Sequence, residues 1–207
     1  MDETFADNLR SAQGMLVAGD LVQAQSYFEL AMSQAENGSI SLPEYLDCLL
    51  GLNTIYCQTE RFDQAESVVI LALSTVQKQV GKAHYLYGLH LNNLAFVRLH
   101  QGRLKEAEYA VLESIAIIEK SFDSGHPELL KPLENLGLVY REQNQITKAV
   151  QSWERAISIS QQCFAEDDPG VKLFKNLCSK TLAASRKSNA KSRTGAAGDD
   201  VQLTLFS

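Results

Sequence analysis

The side chains that could support catalysis or metal binding are few in this sequence, and their spacing suits neither task. There are four histidines, and they form no HExxH motif and no pair four residues apart: His84, His90, His100 and His126. Two of them, His84 and His126, lie 42 residues apart, which is the period of an internal repeat in this chain and indicates a structural role. No phosphate-binding glycine loop and no GxSxG motif occurs. The sequence therefore predicts no metal, no cofactor and no enzymatic activity.

The four cysteines carry no sign of a disulfide framework or a zinc site. They lie in apolar helical patterns without a CxxC pair: Cys48, Cys57, Cys163 and Cys178. We expect reduced structural thiols, as in a cytoplasmic protein. The first ten residues do not resemble a secretory signal, and no apolar run approaches the length of a membrane span. A cytoplasmic protein with no membrane association is the expectation.

Charge argues against nucleic acid as a direct partner. The formal net charge is −6. From residue 186 onward the chain has four basic residues, Arg186, Lys187, Lys191 and Arg193, against Asp199 and Asp200, which gives +2 and leaves −8 for the rest of the chain. Phosphate contacts need clustered basic side chains on one face. A stretch of four is too small to change the expectation for an acidic body.

An internal repeat of 42 residues organises the chain. When residues 90–108 are aligned with residues 132–150, Leu94 matches Leu136, Ala95 matches Gly137 and Ala107 matches Ala149. The same offset leads back to a copy around Ala65, and a first copy around Ala24 fits with one residue deleted. The chain therefore contains four repeats, at about 5–38, 42–81, 83–125 and 127–168.

Each repeat has the pattern of two antiparallel helices. A small residue, a large one four positions on and a small one three further on share one helical face, as in Ala149, Trp153 and Ala156. Trp153 is thus predicted to lie in the core. The turn within each repeat needs a left-handed residue, and the equivalent positions hold Gly or Asn in three of the four repeats: Gly19, Glu60, Gly102 and Asn144.

The helices are predicted at Phe5–Ala18, Leu21–Glu36, Leu42–Thr59, Phe62–Val80, Ala83–His100, Leu104–Phe122, Pro127–Gln143 and Ile146–Phe164. A ninth, at about 169–185, is expected to cap the last repeat with Val171, Phe174, Leu177, Cys178 and Leu182. The fold class is all-α, with a repeat domain at 1–186. Residues 187–207 are predicted to be a disordered tail, since they are rich in Ser, Ala, Gly and charge.

These repeats resemble tetratricopeptide repeats, and most closely the kinesin light chain variety. The resemblance rests on the period, on Leu91–Ala95 (LNNLA), on Gly102–Glu108 (GRLKEAE) and on Gly125–Pro127 (GHP), and it spans about Ala12 to Pro169. It implies a right-handed superhelical solenoid whose concave groove, lined by the first helix of each pair, binds a segment of a partner protein. The positions that would face this groove are Arg10, Gln13, Asp47, Thr54, Gln58, Asn92, Asn93, Phe96, His100, Glu134, Asn135, Leu138 and Arg141.

Two of these positions, Asn93 and Asn135, have two interpretations. A side-chain amide both donates and accepts, so a ladder of asparagines could hold the backbone of an extended ligand. Alternatively, the same amides make hydrogen bonds between helices within the fold, as most buried amides do.

The last residues form a separate candidate site. Gln202, Leu203, Thr204, Leu205 and Phe206 resemble the bacterial sliding-clamp-binding motif, with Thr in place of the usual Ser or Asp. The resemblance implies that Leu205 and Phe206 enter an apolar pocket of the clamp while Gln202 forms a hydrogen bond at its edge. Two alternatives remain open: the segment folds back into the groove, or it covers an apolar surface of the ninth helix.

Overall fold

The structure, a computed structural model, describes residues 4–35, 40–164 and 168–196. Within these residues the chain forms nine α-helices and one 3₁₀ turn, with no strand. The helices are α1 Phe5–Ala18, α2 Leu21–Ala35, α3 Leu42–Gln58, α4 Phe62–Gln79, α5 Tyr85–His100, α6 Leu104–Ser121, α7 Leu130–Glu142, α8 Ile146–Cys163 and α9 Pro169–Ala196. The 3₁₀ turn, Pro127–Leu129, precedes α7.

The turn inside each helix pair has the same geometry in all four repeats. The predicted residues all adopt positive φ: 80° at Gly19, 57° at Glu60, 75° at Gly102 and 61° at Asn144. Each donates its amide to the carbonyl three residues earlier, and the next residue donates to the carbonyl five residues earlier. This is the Schellman arrangement that ends a helix, so the predicted left-handed turns are confirmed.

The first helix of a repeat begins at a side-chain cap. The Nδ1 atom of His84 accepts from the Leu86 amide at 3.3 Å, and Nδ1 of His126 accepts from the Glu128 amide at 3.3 Å. One period later, the Asp168 carboxylate accepts from the Gly170 amide at 2.7 Å. The periodic histidines therefore satisfy amides at helix starts, which confirms their predicted structural role.

The chain divides into two compact units, Met1–Ser124 (unit 1) and Gly125–Ser207 (unit 2). In unit 1 the periodic small and large residues form the core, with Ala24, Phe28 and Ala31 at most 1% exposed. The Phe28 ring lies directly against Gly51 of α3, where a Cβ atom would overlap it. A glycine is therefore needed at this contact between the first and second repeats.

Unit 2 is built around Trp153, which is fully buried as predicted. Its indole lies against Gly137 of α7, and its Nε1 donates to the Glu134 carbonyl oxygen at 3.2 Å. Helix α9 packs on α8 with Val171 and Phe174 buried. Thr181 is buried as well, whereas Leu182, which was expected to pack there, is 39% exposed.

Helix α9 continues eleven residues beyond its predicted end near Ser185. Residues 186–194 contain Arg, Lys, Ala, Ser, Asn and Thr but no Pro or Gly, and the first glycine is Gly195. Such residues are compatible with a helix, and glycine is the least compatible residue type after proline. The composition that indicated a linker therefore does not prevent the helix from continuing to Ala196.

Candidate protein-binding surface

In unit 1 the proposed groove positions lie on the first helices of three repeats, and most of them are accessible. Arg10 and Gln13 on α1 are exposed, as are Asp47 and Gln58 on α3 and His100 on α5. Thr54, Asn93 and Phe96 are half-buried, whereas Asn92 is buried at 8% exposure. Asn92 is therefore the one position of this set in unit 1 that offers little surface to a ligand.

An aromatic cluster, formed by Phe62, Phe96 and His100, stands at the end of α5. The ring centroids of Phe96 and His100 are 4.2 Å apart, and those of His100 and Phe62 are 5.2 Å apart in a stacked geometry. The Nδ1 atom of His100 lies 2.9 Å from the Phe96 carbonyl oxygen. Its other ring nitrogen, Nε2, makes no hydrogen bond within the described residues and is available to a ligand.

A depression of about 430 Å³ opens beside Phe62, at the turn between α3 and α4. Its lining consists of Glu60, Arg61, Phe62, Asp63, Gln64 and Gln101. The Arg61 guanidinium is already engaged: it stacks 4.6 Å from the Tyr56 ring centroid and donates to Gln25 at 2.7 Å. The two carboxylates, Glu60 and Asp63, are exposed. The depression therefore combines an aromatic face with a surplus of negative charge.

An ionic network holds the wall of this depression in place. Glu66 of α4 accepts from Arg103 at 2.7 Å and from Arg98 at 3.3 Å, and Arg103 also pairs with Glu106 at 2.7 Å. Burial alone would raise the pKa of Glu66, but hydrogen bonds from Gln101, Arg103 and Arg98 outweigh it and lower the pKa below its usual value. Gln101 additionally donates to Asp63 at 3.0 Å. The network thus joins α4 to the turn between α5 and α6.

The two asparagines at the equivalent repeat positions differ in their surroundings. Asn135 of unit 2 is buried at 6% exposure and has an interaction partner within the protein. Asn93 is half-buried, and its side chain makes no hydrogen bond within the described residues. The structural interpretation therefore suits Asn135, while Asn93 keeps its amide available for a ligand backbone.

The remaining candidates in unit 2 lie on α7. Glu134 and Leu138 are half-buried and Arg141 is exposed. Glu134 pairs with Lys131 at 3.0 Å and Arg141 with Glu142 at 2.8 Å. The charges of Glu134 and Arg141 are thus paired with near neighbours on the same helix.

Two residues of the unit 1 surface escaped the sequence interpretation. Leu50 of α3 is 45% exposed, and it precedes Thr54 by four residues on the same helical face. Phe62 begins α4 and was assigned only to a helix start, yet it completes the aromatic cluster. The four-residue spacing could have revealed Leu50, whereas the position of Phe62 depends on how the turn between α3 and α4 packs against α5.

No group of His, Cys and acidic side chains in the described residues could hold a metal ion. Burial raises the pKa of the Cys48 thiol to about 12 and that of Cys57 to about 11, so neither is a thiolate nucleophile near neutral pH. Among the described residues, no helix has the length and apolar character needed to cross a bilayer. The predicted segment 202–206 lies outside the described residues.

Comparison with known proteins supports the repeat assignment. Residues 86–162 match the sequence model of the tetratricopeptide repeat. No curated protein matches the sequence. The predicted tetratricopeptide-type repeats and the all-α fold of stacked helix pairs are thereby confirmed.

Several solved structures share the fold at low identity. A Podosopora anserina protein of nearly identical TPR-like repeats, whose name refers to kinesin light chain, has a TM-score of 0.70 at 18% identity over 98% of this chain and 100% of that one. BtubC (BKLC) from P. vanneervenii has a TM-score of 0.66 at 18% identity over 95% and 81% of the two chains. MamA has a TM-score of 0.55 at 18% identity over the full length of both. Proteins of this fold generally mediate protein–protein interactions.

Proposed function

Because residues 86–162 match the tetratricopeptide repeat and the fold is that of such arrays, we propose that this protein is a non-enzymatic adaptor. It binds a segment of a partner protein on the first-helix face of unit 1, and the observation that carries this proposal is the aromatic cluster of Phe62, Phe96 and His100. Partly accessible aromatic side chains supply much of the binding energy at protein interfaces. The four free cysteines suit a role in the reducing cytoplasm.

The charges around the cluster select a partner segment with a basic side chain. Unit 1 up to residue 124 contains sixteen acidic and eight basic residues, a net charge of −8. Glu60 and Asp63 border the depression beside Phe62, where a Lys or Arg of the partner would meet two carboxylates and an aromatic face. The Asn93 amide and Nε2 of His100 would then hydrogen-bond the ligand, fixing its position on α5.

Peptide selection on the purified full-length chain tests this proposal. Peptides selected from a random library should contain a recurrent basic position, and their affinities can be measured by fluorescence anisotropy. Replacing Phe96 and His100 together with Ala should weaken binding by about tenfold or more, as expected when an anchoring aromatic is lost. Tyr109→Ala is the matched control, because Tyr109 is an aromatic residue 71% exposed on α6, away from the cluster.

Equal losses of affinity in the two variants would reject the cluster as the binding site. Circular dichroism of both variants checks that the helices remain intact, so that a folding defect is not mistaken for a lost contact. If the selected peptides bind but share no basic position, the aromatic cluster remains the proposed binding site, and the role assigned to Glu60 and Asp63 is rejected.

A second function is favoured by residues 202–206, whose sequence, QLTLF, resembles the bacterial sliding-clamp-binding motif. In this proposal the protein is an accessory factor of DNA replication or repair that is tethered to the clamp. A labelled peptide of residues 198–207 should bind a purified bacterial clamp, and a peptide with Leu205→Ala and Phe206→Ala should not. Thr204→Ser is the control and should bind as well as the native peptide. Equal binding by all three peptides, or none by any, would reject the tether.

A further inference from the structure

Helix α9 has a charge unlike that of the rest of the chain. Its 28 residues, Pro169–Ala196, contain seven basic side chains and no acidic one. The remaining residues carry twelve basic side chains and all 25 acidic ones. No acidic residue within α9 is therefore available to neutralise a neighbouring lysine or arginine on the same helix.

The packing of α9 leaves its described basic residues in solvent. Val171, Phe174 and Thr181 are buried, whereas Lys172, Lys175, Lys180 and Arg186 are all exposed. None of these four takes part in an ion pair within the described residues. Two carboxylates lie close to α9: Asp168 caps its start, four residues before Lys172, and Glu154 of α8 adds to the effect of burial in raising the pKa of Cys178. The basic surface, which we define as Lys172, Lys175, Lys180 and Arg186, is thus largely uncompensated.

We propose that α9 binds the phosphate backbone of duplex DNA through this basic surface, without reading base sequence. From Lys172 to Arg186 the helix extends about 21 Å, which is about six base pairs of B-form DNA. A duplex presents roughly one negative charge per 1.7 Å of its axis, which complements the cations of the basic surface.

Other polyanionic partners fit α9 less well. Binding in a membrane interface needs a free apolar helix face, but Val171 and Phe174 are already buried against the repeat. The two exposed leucines, Leu173 and Leu182, are nine residues apart and lie on opposite sides of the helix, and residues 183–196 contain no apolar side chain larger than Ala. Single-stranded nucleic acid needs accessible aromatic platforms, and the single aromatic residue of α9, Phe174, is buried. An acidic protein segment would find no large apolar side chain to anchor it along residues 183–196.

The length of the helix alters the conclusion drawn from charge alone. The sequence expectation excluded DNA because it counted four basic residues in a presumed linker after residue 185. Helix α9 continues through that stretch to Ala196 and joins those four to Lys172, Lys175 and Lys180. This inference is independent of both proposed functions, since it concerns neither the aromatic cluster nor residues 202–206.

Salt-dependent binding of the full-length chain to a fluorescent duplex of about 20 base pairs tests the proposal. Changing Lys172, Lys175 and Lys180 to Gln should weaken binding by about tenfold or more at about 50 mM salt. It should also reduce the slope of log affinity against log salt by about 2 to 3, because each neutralised phosphate contributes about 0.9. The matched control changes Lys78, Lys105 and Lys120, three exposed lysines of unit 1, to Gln and should leave both values unchanged.

Three outcomes would overturn the proposal. The first is no duplex binding at low salt, and the second is equal weakening in the two triple variants. The third is tighter binding to vesicles containing an anionic phospholipid, to a polyglutamate peptide or to single-stranded DNA than to the duplex. Circular dichroism of the Gln variant distinguishes lost contacts from a lost helix. A separate variant with Lys172, Lys175 and Lys180 changed to Arg keeps the three charges and should bind the duplex as the native protein does.

Discussion

His90 has an environment that strongly changes its protonation. It lies on α5 at 7% exposure, and burial lowers its pKa from 6.5 to about 4. In the unfolded chain the same imidazole binds a proton near pH 6.5. The folded state is therefore at full stability above that pH, loses stability as the pH falls from about 6.5 to 4, and loses no more through this group below pH 4.

We predict that His90→Gln makes the protein less sensitive to acid. A shift of this size corresponds to about 3 kcal/mol of unfolding free energy, and about three-quarters of it is lost by about pH 4.5. Urea unfolding at about pH 8 and pH 4.5 should show a smaller decrease in the variant than in the native protein. Carboxylates such as Glu66 titrate in both proteins, so comparing the two decreases isolates the imidazole. Identical decreases would contradict the prediction.

The exposure of individual side chains, such as those of Asn93 and Asn135, could not be predicted from the sequence. The repeat alignment correctly made Asn93 and Asn135 equivalent, but one is half-buried and the other is 6% exposed. Their exposure depends on the side chains that neighbouring helices place over them, and those side chains differ between the repeats. At the equivalent position of the second repeat, Gly51, the Phe28 ring occupies the space. The site was thus predictable by position and not by accessibility.

At the scale of the helices, local chemistry made the boundaries predictable. The first eight predicted helices begin and end within a few residues of those observed, because caps and left-handed turns are local signals. The length of α9 was not predictable in this way, since no glycine or proline marks its end before Gly195. Helix pairing, in contrast, depends on close contacts that a single added methyl group would disturb.

Gly137→Ala should destabilise the protein, although alanine favours a helix. A Cβ atom at Gly137 would overlap the buried indole of Trp153, and overpacking of this kind costs about 1 to 3 kcal/mol. Gly14→Ala is the matched control, because Gly14 is also helical but has nothing within 4 Å of the added atom. That variant should gain about 0.5 to 1 kcal/mol from helix propensity. Urea unfolding measures both, and a gain in both variants would show that Trp153 moves without cost.

At the scale of the whole molecule, the two units differ in charge. Residues 1–124 have a net charge of −8, whereas residues 125–207 have eleven basic and nine acidic residues and a net charge of +2. The aromatic cluster with its carboxylates belongs to unit 1, and the basic surface of α9 belongs to unit 2. The overall charge of −6 hides this division, which suits two partners of opposite charge.

Each of the two compact units has buried side chains of its own, so the unfolding of each can be followed. The free energy of unfolding of a repeat array is approximately the sum of the stability of each repeat and of each interface between neighbouring repeats. A destabilising substitution at one end therefore need not unfold the other end. The chain contains one tryptophan, Trp153, which reports on unit 2, while far-UV circular dichroism averages over the helices of both units. The two signals together can therefore show where stability is lost.

We predict opposite responses to truncating a buried phenylalanine in each unit. Phe174→Ala in unit 2 removes a side chain that is 3% exposed, and Phe28→Ala in unit 1 removes one that is 1% exposed. Each loss costs about 3 to 5 kcal/mol. The first should lower the urea midpoint of Trp153 fluorescence more than that of circular dichroism, and the second should do the reverse. If both signals shift equally in both variants, the two units unfold as one cooperative body, and the free energy of unfolding cannot be assigned to each unit separately.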